Sequence, residues 1–280
     1  MKRYIIFLLL VFGIFGFSSN LENVLNKENM LIIQYKSLLL NNGIQGSDSW
    51  VSVNGFVYDV SYLNSWINGE HANGRFKSGN EYTSELYLLS PHGSPIIEKY
   101  EPLGILGFTI DDLKLFNGKN NSKAFISYEG TIYDVTYSKT WREKIGFDDA
   151  GKDLTYFIKN NKLTDFKNWD NVFEVGLLII SYNELNKYNG KNGNKAYVAV
   201  EGIVYDVSYS KRWNEGNHMN RHNAGEELTY EIIKLSPHGL KKLDAVYKIG
   251  YLVFEGNTNN YSIKDNKVYK NEYKIGYILK

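Results

Sequence analysis

The chain has 280 residues, more than one average domain, and sets 32 Lys and Arg against 31 Asp and Glu for a formal charge of +1. So even a balance leaves no electrostatic footprint for nucleic acid or for an anionic membrane surface. Cysteine is absent, which excludes a lipid-modified cysteine, a thioether-linked cofactor, an iron-sulfur cluster and any disulfide.

At the amino terminus Lys2 and Arg3 precede an apolar run from Tyr4 to Phe17 that closes on Ser18-Ser19-Asn20. This is the order of a secretory leader, and the run is shorter than the roughly 20 residues of a spanning helix. Residues 1–19 are expected to act as a signal peptide or, if uncleaved, as an N-terminal membrane anchor. The protein is then extracytoplasmic, either secreted or at the cell surface. Residues 20–30 read as a helix or linker.

Three repeats follow. Gapless alignment on Gly43, Gly118 and Gly190 brings Gly55, Gly130 and Gly202 into register. The triplets Tyr58-Asp59-Val60, Tyr133-Asp134-Val135 and Tyr205-Asp206-Val207 then coincide, as do Trp66, Trp141 and Trp213. The boundaries fall at 31–107, 108–178 and 179–253, with a tail at 254–280. Repeats of this length suggest separate beads, each with its own small sheet and core, rather than a stacked solenoid.

Each repeat opens on a short helix. Thr109 with Asp112 and Ser181 with Glu184 have capping-box spacing, and Gly118 and Gly190 stop their helices. Gln34 replaces the cap in the first repeat, so its helix is expected to run on from one that starts near Leu21. A strand-turn-strand unit comes next, with Asn54-Gly55 as its clearest turn. After Gly79 and Gly225 an amphipathic helix is expected, with Tyr82, Leu86 and Leu89 matched by Leu228, Ile232 and Leu235. A closing strand around Gly104, Gly176 or Gly250 ends each repeat, and Tyr273 to Ile278 in the tail echoes it. The fold class is α+β, three tandem small domains of short helices on a mixed sheet.

Four of the five histidines stand at matched places. His71 and His218 come five residues after the tryptophan, and His92 and His238 lie in Ser-Pro-His-Gly turns. The middle repeat has Gly146 and Thr164 there instead. Two imidazoles flanking an amphipathic helix suit a planar apolar macrocycle held in a slot.

These residues resemble the cytochrome b5 family, in particular its short bacterial haem-binding branch. The similar elements are Leu-x-x-Tyr-Asn-Gly, Ala-Tyr-Val-Ala-Val-x-Gly-Ile-Val-Tyr-Asp-Val, Trp-x-x-Gly-x-His, Ala-Gly-x-x-Leu-Thr and Pro-His-Gly. They cover roughly residues 31 to 253, and most fully the third repeat. The resemblance implies noncovalent haem b, about two per chain, with His71, His92, His218 and His238 as axial ligands. The middle domain would be degenerate and bind none. The His-Pro-Gly-Gly loop of animal and fungal members is missing, which leaves His222 as the alternative first ligand in the third repeat.

Other readings stay open. His218, His222 and His238 are candidates for a three-nitrogen zinc site, although the Gly and Asn around them are poor helix formers. The three tryptophans persist in the repeat without histidines, so a core or loop-anchoring role is expected for them. No nucleophile-base pair, phosphate loop or nucleotide fingerprint is present, so no enzymatic activity is expected. The expected work is outer-sphere electron transfer with an unknown redox partner protein as donor or acceptor. The rival is a sensor or carrier of haem or a sterol-type ligand, and a spacer array is the third possibility.

Overall fold

The computed structural model describes residues 20–91, 94–256 and 260–280. The leader, residues 1–19, and His92 lie outside the described residues. Among the described residues no helix is long and apolar enough to cross a membrane.

Short helices open the three repeats at Tyr35–Leu40, Ile110–Lys114 and Tyr182–Leu185. The capping box forms in full at the second: Thr109 Oγ1 accepts from the Asp112 amide at 3.0 Å, and the Asp112 carboxylate accepts from the Thr109 amide at 2.9 Å. Ser181, at the same place in the third, makes no side-chain cap bond. The expected continuous first helix is broken. Leu21–Lys27 ends before Asn29, which takes φ 53°, and the β-branched pair Ile32 and Ile33 enters a strand, Ile32–Gln34. Strand partners on both sides of this segment outweigh its weak helix propensity.

The hairpins fall where the sequence puts them: Trp50–Val53 with Phe56–Asp59, Phe125–Tyr128 with Thr131–Asp134, and Tyr197–Val200 with Ile203–Asp206. Each turn has two residues at positive φ, Asn54-Gly55, Glu129-Gly130 or Glu201-Gly202. That geometry matches the right-handed twist of the flanking strands.

The repeats do not stand as separate beads with separate sheets. The closing strands Gly104–Phe108, Phe173–Ser181, Tyr247–Phe254 and Tyr273–Ile278 pair side by side in parallel. Ile32–Gln34 pairs in parallel with the first of them, and Ile32 also bridges to Leu279. The amide of Gln34 donates to the Lys280 carbonyl at 3.1 Å and the amide of Lys280 to the Ile32 carbonyl at 3.0 Å. The parallel strands therefore close into a ring, with each hairpin hung antiparallel on its own closing strand. A ring leaves no bare edge among these strands, which is the physical gain over open sheets.

Side-chain alternation divides the ring into two faces. Ile32, Ile105, Ile179, Tyr251, Val253 and Tyr277 cluster with Leu21 and Leu25 of the N-terminal helix, which plugs the ring. Ile33, Leu106, Phe108, Leu178, Leu252 and Phe254 turn the other way onto the helices and hairpins of the repeats. The repeated glycine of the closing strand makes this pairing possible. A Cβ at Gly104, Gly176, Gly250 or Gly276 would stand 2.6 to 2.8 Å from the carbonyl oxygen of Leu31, Leu106, Leu178 or Leu252 in the neighbouring segment.

Neighbouring repeats also meet through side chains. Lys123 of the second pairs with Glu81 (3.0 Å) and Glu85 (2.6 Å) of the first, and approaches Asp134 of its own hairpin at 3.8 Å. Burial alone would lower the Lys123 ammonium, but the three carboxylates outweigh it and hold the group above its ordinary value. At the next joint Lys195 meets Asp206 at 3.2 Å and the Tyr209 hydroxyl at 2.8 Å. Asp153, standing where the first joint has Glu81, is a methylene shorter and is bonded by Thr155 at 2.8 Å. Burial pushes its carboxyl up to about 7; the Thr155 hydrogen bonds oppose this and the Asp206 charge adds to it.

Candidate functional site

In the third unit the segment after the hairpin folds into three two-residue strands, Trp213–Asn214, Asn217–His218 and His222–Asn223. Gly216 anchors it at φ 74°, since a Cβ there would collide with the Asn189 carbonyl. Gly69 holds the first unit's loop against the Asn42 carbonyl in the same way. The loop is thus pinned two residues ahead of each histidine.

His218 is held on three sides. Its Nδ1 lies 3.1 Å from the Arg212 carbonyl oxygen, which can only accept, so Nδ1 carries the proton and Nε2 is left free. The Trp213 ring stacks at 4.9 Å and 23°, and the His222 ring lies beyond at 6.4 Å and 17°. His71 repeats the arrangement: Nδ1 is 2.9 Å from the Ser65 carbonyl, Trp66 stacks at 5.2 Å and 21°, and Phe76 takes the outer place at 6.1 Å. His71 faces Phe76 across its hairpin as His218 faces His222. Neither carbonyl is marked in the sequence; the tryptophans, expected in a core or loop-anchoring role, pack against the cores of their units, and Trp66 and Trp213 stack on the histidines as well.

A cavity of about 540 Å³ opens beside His218. His222 and His238 line it too, together with Leu228, Ile232 and Leu235 from the helical wall. The third unit thus brings all of its expected site residues to one space. The wall is less regular than expected, since Glu231–Leu235 forms a π-turn. His238 is exposed and caps the 3₁₀ segment Gly239–Ala245.

The first unit differs in size. His71, Tyr82 and Leu86 line a cavity of about 130 Å³, whereas Leu89 is 48% exposed and lies outside its lining. The helix Thr83–Leu88 ends one residue earlier, so the expected stripe is cut short. The Tyr82 hydroxyl accepts from the Lys77 amide at 2.7 Å and donates to the Lys77 carbonyl at 2.9 Å, and burial raises its pKa.

In the second unit the same region is filled. Trp141 and Phe166 are fully buried, their rings 5.7 Å apart, and Phe166 packs edge-on to Tyr133 at 5.1 Å. The indole N–H of Trp141 donates at 2.9 Å to the carbonyl of Gly146, which stands in place of a histidine. Among the described residues no three His, Cys, Asp or Glu side chains gather for a metal ion, so the three-nitrogen arrangement is not assembled.

Residues 181–253 match the family described as cytochrome b5-like heme/steroid binding domain. Three solved structures are similar. A cytochrome b5 domain protein from Hadesarchaea is 42% identical over 26% of this chain and 96% of its own, with a TM-score of 0.25. One from Methanococcoides burtonii is 39% identical over 26% and 95%, with a TM-score of 0.26. A hypothetical protein from Arabidopsis thaliana described as having a cytochrome b5 like fold is 21% identical over 26% and 89%, with a TM-score of 0.23. Among curated proteins none matches the chain.

Proposed function

Since residues 181–253 belong to the cytochrome b5-like haem/steroid-binding domain family, we propose that the chain is an exported haem b protein that relays single electrons to and from a partner protein. The observation that carries the reading is the third unit's cavity, about 540 Å³ between apolar walls, with His218 and His238 both in its lining. A cavity of that size suits a cofactor. The donor set fits haem, because the carbonyl at His218 Nδ1 fixes its tautomer and directs the basic nitrogen away from the loop.

His218 and His238 would hold the iron from the two ends of the helical wall, with Leu228 and Ile232 excluding water. By sequence position His71 and His92 would be the matching pair in the first unit, His92 lying outside the described residues. Its cavity of about 130 Å³ must open to accept the same group, so its affinity is the lower of the two. A haem bound there supplies reversible one-electron chemistry. With both histidines holding the iron, no coordination place would remain for a substrate, which favours relay over catalysis.

The rival is an apolar, sterol-type ligand held without redox turnover. It draws support from the first unit, whose cavity lining has no Lys, Arg, Asp or Glu among the described residues. Spectroelectrochemistry of the hemin-loaded chain separates the two. Six-coordinate low-spin spectra in both oxidation states, with reversible reduction, are expected; a five-coordinate or readily exchanged haem supports the rival instead.

A further inference from the structure

The third unit's cavity has a charged mouth. Lys211, Arg212, Arg221 and Lys242 all stand in its lining, all are exposed, and the lining has no Asp or Glu among the described residues. None of the four makes an ion pair among the described residues, where eleven such pairs engage other lysines. They come from three separate segments, the loop before Trp213, the turn between His218 and His222, and the 3₁₀ segment after His238. In a chain whose formal charge is +1 this is a local concentration, not a general excess.

The first unit lacks the feature. Aligned on Trp66, Gly79 and His92, the matching positions are Asn64, Ser65, Arg75 and Ile96. The one remaining cation, Arg75, lies over the Phe76 ring at 5.5 Å. The charge is therefore an addition to one unit rather than a requirement of the scaffold.

We infer that this mouth is a docking surface for a partner protein with an acidic face, which places the exchange of electrons at the third unit; the inference rests on the haem reading. A haem carries two propionate carboxylates, too few to neutralise four cations that surround the opening. The remaining charge is displayed to solvent, where it attracts an anionic surface over about 8 Å at physiological salt. Such charges act on encounter rate and choice of partner more than on final affinity.

The full-length chain tests this with poly-L-glutamate as the probe, binding being followed by fluorescence anisotropy at 20 to 300 mM NaCl. The native chain is expected to bind and to weaken steeply with salt. Lys211→Glu with Lys242→Glu is expected to weaken binding by about 10-fold at low salt, while Lys264→Glu, on the tail hairpin formed by Ser262–Lys264 and Lys267–Lys270, leaves it unchanged. Equal loss in the tail variant, or retention in the mouth variant, overturns the assignment. Hemin titration of the same proteins is read separately. Probe binding without hemin uptake would defeat the haem reading while leaving the acidic-partner surface in place. A mouth variant that loses hemin and probe together would put the cations in the pocket rather than on a docking face, and overturn the docking.

Discussion

The second and third units solve the same packing problem in opposite ways. Where the second seals its interior with Trp141 and Phe166, both fully buried, the third has Trp213 turned onto His218 and Leu240, at the place of Phe166, 40% exposed. The space that aromatic side chains occupy in one is open to a ligand in the other. The hairpin, the closing strand and the ring contacts are common to both. A scaffold stabilised by its neighbours in a ring does not require every unit to complete its own core, and the third unit uses that freedom.

The sharpest contrast is expected from truncation. Phe166→Ala removes a ring from a sealed core and is expected to cost about 3–5 kcal/mol of stability in denaturant unfolding. Leu240→Ala should stay within about 0.5 kcal/mol because its side chain is already exposed. Equal effects would mean that the third unit is as tightly packed as the second.

The joint between these units should respond to pH. The Asp153 carboxyl is raised to about 7, so between the ordinary aspartate range and pH 7 the folded chain binds the proton that the unfolded chain has lost. Stability therefore falls as pH rises through that window. Asp153→Asn is expected to remove this slope and to stabilise the chain by roughly 2 kcal/mol above pH 7, discounted for the open cleft that Asp153 lines. An unchanged pH profile would return Asp153 to an ordinary, solvated carboxylate.

Trp213→Ala frees one face of His218 and is expected to weaken hemin binding about 10-fold in a Soret titration. Trp141→Ala should lower stability and leave the hemin affinity alone. At the small end, the completed capping box predicts that Thr109→Ala costs about 1 kcal/mol. Ser181→Ala, from a cap that forms no bond, should cost about 0.2 kcal/mol or less in the same unfolding experiment.

Much of the third unit's site was legible in its residues. Matched spacing singled out His218 and His238, and the helical period chose Leu228, Ile232 and Leu235, all five of which line one cavity. Leu89 escaped the same rule because its helix stops at Leu88. The carbonyls of Arg212 and Ser65 were not legible, since a backbone acceptor leaves no mark on side-chain pattern. Nor was the ring. Alternation within a strand says which face is buried but not which distant strand lies beside it, and the recurring glycines at 104, 176, 250 and 276 were its one trace. The tail, 254–280, echoed a closing strand, and the structure shows the strands on which it lies, Tyr247–Phe254 on one side and Ile32 on the other.

The haem sites are tested most directly by the uptake of hemin by the haem-free, full-length chain, followed at the Soret band for the native protein and for His218→Ala, His238→Ala and His71→Ala. One tight equivalent that disappears in either third-unit variant is expected, and a second, weaker one that disappears in the first-unit variant. A native chain that takes up no hemin, or a His218→Ala or His238→Ala chain that keeps its tight equivalent, would contradict this expectation.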